Sequence, residues 1–241
     1  LFRRKIIKTF TSNISVFIFF FITAVVAIAG IPLLILPRKY SVNLIHLWSI
    51  GMLRMFRKMD GLDWQVIGSE NIPEGPFIIA SKHQSAWDTI FFTAFFKDAS
   101  MVLKKILIYI PAYGWLAMKA KMIWLDRKDH ATAIRHLINQ ARSCAKDKRP
   151  IVIFPEGTRI KVGLRGEYKS GTFALYKYLG IPCVPVALNS GLFWETKGYK
   201  KQKGKVTVKF LKIIKPGYDK KEFFSILENS IETETQKLLR Q

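Results

Sequence analysis

The segment ISVFIFFFITAVVAIAGIPLLIL runs from Ile14 to Leu36, 23 residues without one charged side chain. Its length suffices to cross a bilayer. Arg3, Arg4, Lys5 and Lys8 precede it, and Arg38 and Lys39 follow it. With positive charge on both flanks, the positive-inside rule assigns no orientation. Gly30 and Pro32 break or kink a helix near its end. Three readings stay open: a transmembrane helix, a re-entrant or interfacial hairpin, and a cleaved signal with the small-residue pattern AIAG at Ala27 to Gly30. Tyr40 to Met59 then reads as an amphipathic helix with Leu44, Leu47, Trp48, Ile50, Leu53 and Phe56 on one broad face. Arg54, Arg57 and Lys58 gather near its end, a pattern that suits either a core face or a membrane surface.

From Gly61 the character changes. Short β-rich runs appear at 64–68 (WQVIG), 76–80 (PFIIA), 122–125 (MIWL), 151–154 (IVIF), 183–188 (CVPVAL) and 205–211 (KVTVKFL). Helical stretches are expected at Ile90 to Phe96, Ile110 to Lys119, Ala131 to Lys146, Phe173 to Leu179 and Phe223 to Leu239. Strand and helix alternate, which predicts an α/β domain over 61–241 with a mostly parallel central sheet flanked by helices. Residues 1–60 form a separate helical region. In such sheets chemistry gathers where strands end and helices begin.

Charge narrows the partners. Lys and Arg number 39 against 17 Asp and Glu, a net charge of +22, and 49% of residues are hydrophobic. The excess calls for an anionic partner, and the hydropathy favours a phospholipid surface over nucleic acid. No recognisable nucleic-acid-binding module is present. The basic run KGYKKQKGK, Lys197 to Lys205, is either a solvated turn or a contact for anionic headgroups. Cys144 and Cys183 belong to no metal-ligand spacing, so no zinc site is expected and a reducing compartment is the default. Of the four histidines, His46, His130 and His136 have no carboxylate in a telling context.

The fourth is His83, in SKHQSAWDT. Asp88 follows five residues later, a spacing that does not share a helical face. The two meet only if His83 lies in a turn and Asp88 in the first turn of the next helix. There the carboxylate fixes the imidazole tautomer and leaves the other nitrogen free as a base. No GxSxG elbow supplies a protein nucleophile, so the substrate's own hydroxyl is the candidate. FPEGTR, Phe154 to Arg159, follows a strand and presents Glu156 and Arg159 on a tight turn at Gly157. An arginine fork suits a phosphomonoester, and Glu156 is expected to orient Arg159 or bind a substrate hydroxyl. In isolation the segment also reads as a turn closed by an internal ion pair. WLDR supplies Arg127 at a second strand end, as a phosphate ligand or a salt-bridge partner of Asp126. Lys104 and Lys105 are solvated or meet an anionic substrate. GIPCVPVAL reads as a buried strand or as lining for an apolar pocket.

Taken in order, these blocks resemble the glycerolipid acyltransferase family, specifically bacterial lysophosphatidic acid acyltransferases. His83 and Asp88 match the family's H-x-x-x-x-D element. KMIWLDR, Lys121 to Arg127, resembles the second block, FPEGTR matches the third, and IPCVPVAL resembles the fourth. The resemblance covers about Trp64 to Leu188. It implies that His83 deprotonates the glycerol hydroxyl of lysophosphatidic acid while Asp88 orients it. The oxygen then attacks the thioester of acyl-CoA or acyl-carrier protein, giving phosphatidic acid without an acyl-enzyme. Glu156, Gly157, Thr158, Arg159, Arg127 and Lys105 would hold the phosphate, and Pro185 and Val186 would support the acyl region. No metal or organic cofactor is implied.

The resemblance also implies an N-terminal membrane-embedded helical pair, here a hairpin in the cytoplasmic leaflet of a bacterial inner membrane. Anionic lipids would be partners. Lys82 stands where many relatives have asparagine, and Ile160 where serine is common, which puts the acceptor's identity in question. A lyso-ornithine lipid is the alternative acceptor. A non-catalytic membrane-surface scaffold is the alternative class.

Overall fold

The computed structural model describes the backbone of residues 2–126 and 130–240 and the side chains of residues 13–126 and 132–240. The charge-free run does not form one helix. Helix α1 (Phe2–Ala29) stops at Gly30, a 3-10 turn covers Ile31–Leu34, and helix α2 (Arg38–Asp60) starts after Pro37. The turn is packed too tightly for a side chain at Gly30. A Cβ there would lie 2.5 Å from Leu44 Cδ2 and 2.8 Å from Leu116 Cδ1. Among the described residues no helix is long and apolar enough to cross a membrane.

Helix α2 differs from the single broad face read from its sequence. Val42, Ser49, Met52, Leu53 and Phe56 are buried, and the last three join the main core. Leu44, Leu47 and Trp48 turn instead toward α1, where they and Ile22, Val26 and Met55 line an open apolar groove of about 410 Å³. Leu47 remains 65% exposed. A helix apolar on two sides divides its work, one side closing the core and one facing outward. Gly61 ends α2 in the left-handed region at φ 66°, which glycine adopts without steric cost.

Seven strands follow: β1 (Leu62–Ile67), β2 (Ile78–Ser81), β3 (Ser100–Lys104), β4 (Ile123–Leu125), β5 (Ile151–Ile153), β6 (Cys183–Leu188) and β7 (Gly204–Phe210). Their order is β1-β7-β6-β2-β5-β3-β4. From β6 to β4 all neighbours run parallel, while β7 is antiparallel to β6 and parallel to β1. Strand β3 was not expected from sequence. Its residues SMVLK offer three apolar positions between Ser100 and Lys104, a run too short to mark a strand.

The strands alternate their side chains between two layers of helices. Ile79, Val152, Val184 and Val186 face α2 and α3 (Trp87–Phe95). Ile78, Ala80, Ile151 and Ile153 face α5 (His130–Lys146), α6 (Gly171–Leu179) and α7 (Lys220–Leu239). Helix α4 (Tyr113–Lys119) lies beside the N-terminal pair. Helix α7 starts earlier than its apolar pattern suggests. Asp219 caps it and Glu222 returns the bond, a D-x-x-E capping box.

The basic run 197–205 is not uniformly solvated. Lys201 is buried, donates to Ser15 Oγ at 2.8 Å, and sits over the rings of Phe56 and Trp194 at 5.0 and 4.7 Å. Its counter-charge is Asp60 at 3.5 Å. Burial lowers the Lys201 ammonium's pKa and raises that of the Asp60 carboxyl, each partly offset by the other. This cluster ties α1 and the end of α2 to the segment that leads into β7.

Candidate active site

Strand β2 ends at Ser81, and the chain turns through Lys82 to Ala86 before α3 begins. His83 lies in that turn and Asp88 in the first turn of α3. The His83 Nδ1 to Asp88 Oδ2 distance is 2.9 Å. The same oxygen accepts the backbone N–H groups of Gln84 at 2.8 Å and Ser85 at 3.0 Å, and Oδ1 accepts the Ser85 hydroxyl at 3.1 Å. The Asp88 oxygens are met by donors from the turn, so the bond to Nδ1 is satisfied by a proton on that nitrogen, and in the neutral ring Nε2 then holds the lone pair. Nε2 has no hydrogen-bond partner among the described residues. The Asp88 side chain is 0% exposed and that of His83 11%, so the pair is shielded with one edge open. The ring of His83 stacks on Phe154 with centroids 3.9 Å apart and planes 16° apart.

Two neighbouring segments brace this turn. On one side the Ser85 and Ser190 hydroxyl oxygens lie 2.9 Å apart, at hydrogen-bond distance, and Gln84 Oε1 accepts the Gly191 N–H at 3.0 Å. Both follow β6. On the other side the FPEGTR turn grips the main chain of His83 from both ends. Glu156 Oε2 accepts the His83 N–H at 3.1 Å, and the His83 carbonyl accepts the Ile160 N–H at 2.8 Å. Gly157, at φ 67°, makes this turn possible.

Glu156 differs from its expected role. It is 3% exposed, and its carboxylate is committed to Lys82 and the His83 N–H. Among the described residues it makes no bond to Arg159. Burial raises its pKa, and the Lys82 ammonium works against that rise. Thr158 and Arg159 stand exposed on the turn, with no side-chain partner among the described residues. Lys105, just past β3, bonds Asp126, just past β4, at 3.0 Å across the sheet's rim, and that bond raises its pKa. Arg127 lies outside the described residues.

Pro185 and Val186 are buried within β6 and line no described cavity. The Pro185 carbonyl accepts the Leu211 N–H at 2.9 Å, so its missing donor faces the side where β7 has just ended. Among the described residues no group of three or more His, Cys, Asp or Glu side chains could hold a metal ion. His46 reaches the Thr93 carbonyl at 3.1 Å and His136 packs against Trp124.

His83, the FPEGTR turn, Lys105 and Asp126 all follow the carboxyl ends of parallel strands. Sequence reasoning missed Phe154 as the platform of His83, Ser85 and Ser190 as props of Asp88, and the partners of Lys82. One signal for the last was present. Glu232 sits among Phe223, Leu227, Ile231 and Leu238, all buried, a charge on the apolar side of a helix with no local partner.

With this geometry in hand, the chain was compared with known proteins. An acyltransferase family model matches residues 63–189. A 1-acyl-sn-glycerol-3-phosphate acyltransferase of Pseudomonas aeruginosa is 40% identical over 67% of this chain and 63% of its own length. The Saccharomyces cerevisiae protein of the same name is 34% identical over 56% of this chain and 46% of its own. The chain thus spans about half to 63% of the length of these relatives. The crystal structure of the 1-acyl-sn-glycerophosphate (LPA) acyltransferase PlsC from Thermotoga maritima superposes with a TM-score of 0.80 at 24% identity, covering 97% of this chain and 98% of that one. At that identity the likeness establishes the fold.

Proposed function

The chain belongs to the acyltransferase family, and on that premise we propose that it moves a fatty acyl group from acyl-CoA or acyl-carrier protein to the sn-2 hydroxyl of lysophosphatidic acid. The product is phosphatidic acid. The observation that carries this reading is the His83–Asp88 pair, with Nδ1 bonded at 2.9 Å and Nε2 unoccupied at the open edge. Nε2 takes the proton of the acceptor hydroxyl as its oxygen attacks the thioester carbonyl. Asp88 stabilises the imidazolium that forms. Collapse of the tetrahedral intermediate expels the thiolate, which takes that proton, and the imidazole is restored. Ser85, whose hydroxyl lies beside Asp88, is buried and held between Asp88 and Ser190, which supports direct transfer without an acyl-enzyme. Exposed Arg159, with Thr158 beside it, offers the donor fork for the acceptor's phosphate.

The N-terminal helices serve this reaction as a membrane-embedded pair on the cytoplasmic side of a bacterial inner membrane. Phe17, Phe21, Ile28, Ile35 and Leu47 are between 59% and 88% exposed. Such a concentration of bare apolar side chains marks an interaction surface. The charge of +22 favours anionic headgroups around it.

The test is an acyl-transfer assay on the full chain with either donor and three acceptors: lysophosphatidic acid, monoacylglycerol and a lyso-ornithine lipid. Phosphatidic acid formation, with weak use of the two acceptors that lack phosphate, is expected. Preference for the lyso-ornithine lipid would move the acceptor assignment. No transfer to any acceptor would leave the scaffold alternative.

A further inference from the structure

Lys82 precedes the base, yet it points away from it. Its N–H bonds the Val186 carbonyl at 3.0 Å, which extends the β2–β6 ladder by one residue. Side chains alternate across a strand. Ile78 and Ala80 face α5, α6 and α7, so Lys82 projects to that side and His83 to the side of α3. The Lys82 side chain is 1% exposed. Its ammonium donates to Glu156 Oε1 at 2.6 Å, to Glu232 Oε1 and Oε2 at 2.8 and 3.0 Å, and to the Leu164 carbonyl at 3.3 Å. Tyr168 adds its hydroxyl to Glu232 Oε1 at 3.0 Å. The other oxygen of Glu156 continues to the His83 N–H. An unbroken chain of bonds therefore runs from helix α7 through Glu232, Lys82 and Glu156 to the backbone of the base.

Stability alone does not account for such a cluster. Buried ion pairs return little of their desolvation cost, and apolar residues of similar volume often serve as well. What this cluster delivers is a carboxylate fixed on the His83 main chain. Both oxygens of Glu156 accept, Oε1 from the Lys82 ammonium and Oε2 from the His83 N–H; burial raises the carboxyl's pKa, and Lys82 opposes that rise.

We propose that Lys82 and Glu232 are positioning residues of the acyl-transfer site, which through Glu156 fix the backbone of His83 from helix α7. This rests on the acyl-transfer reading above. Neither residue touches the acceptor, so their loss acts on the chemical step rather than on binding.

The experiment is steady-state acyl transfer to lysophosphatidic acid from acyl-CoA and, separately, from acyl-carrier protein, using the full chain in detergent micelles and the donor that supports turnover. Wild-type activity is measured first. Its absence would defeat the acyl-transfer reading whatever Lys82 does. Three variants follow: Lys82→Met, Glu232→Gln and Lys82→Met/Glu232→Gln. Lys82→Met is expected to lower kcat about tenfold, with KM for lysophosphatidic acid within about twofold of wild type. Glu232→Gln should lower kcat about threefold in the same way. The double variant should lose less than the product of the two, because one chain of bonds is broken twice. A folded Lys82→Met enzyme with wild-type kcat would overturn the proposal, as would losses confined to KM or strictly multiplicative effects. Should Lys82→Met fail to fold, Glu232→Gln decides alone, and an unchanged kcat there is fatal to the proposal.

Discussion

Two consecutive residues leave strand β2 on opposite sides of the sheet and meet opposite surroundings. His83, toward α3, has one ring nitrogen bonded to Asp88 and one left open. Lys82, toward α7, donates to two carboxylates and a backbone carbonyl with 1% of its side chain exposed. The proposed base needs a lone pair with nothing on it and a frame that does not yield. The sheet divides those demands between its two faces, and Glu156 joins them by holding the His83 N–H from the Lys82 side.

Substitutions on the His83 side should separate the reacting atom from its frame. His83→Ala removes the proposed base and should cut kcat by about 10³-fold while the protein still folds, as read by circular dichroism. Asp88→Asn keeps the shape but loses the charge opposite the imidazolium, so kcat should fall about 10²-fold at nearly constant KM. Arg159→Ala probes an outward residue of the same turn that grips His83. It should raise KM for lysophosphatidic acid about tenfold and leave monoacylglycerol kinetics unaltered. Ser85→Ala withdraws one prop from Asp88 and the link to Ser190. It should cost about 1 kcal/mol in chemical denaturation and reduce kcat only a few-fold. If Ser85→Ala cost more activity than Asp88→Asn, the hydroxyl would have a chemical role and the division of labour would fail.

The sequence shows the His83 side far more clearly than the Lys82 side, for physical reasons. His83 and Asp88 are five residues apart, and a turn followed by a helix can be read locally. Lys82 meets Glu156 and Glu232 across 74 and 150 residues, and only the order of strands brings those segments together. The bond from Glu156 to Lys82 is hidden for the same cause: in FPEGTR its apparent neighbour is Arg159, and nothing local points to Lys82. Among the elements, CVPVAL coincides with β6 because a buried parallel strand is a continuous apolar run. Strand β3 is hidden because its apolar run is three residues long and closes on Lys104. The apolar positions of α2 were visible, but not that Val42 and Phe56 face the core while Leu47 faces outward, since that depends on where α1 lies.

The most direct test of the account is the tautomer of His83, read by ¹⁵N NMR on histidine-labelled protein with His83→Ala for assignment. The account predicts a neutral ring with its proton on Nδ1, bonded to Asp88, and an unprotonated Nε2 that protonates without loss of the Asp88 bond. A neutral ring carrying its proton on Nε2 would contradict it, because no lone pair would then face the acceptor hydroxyl.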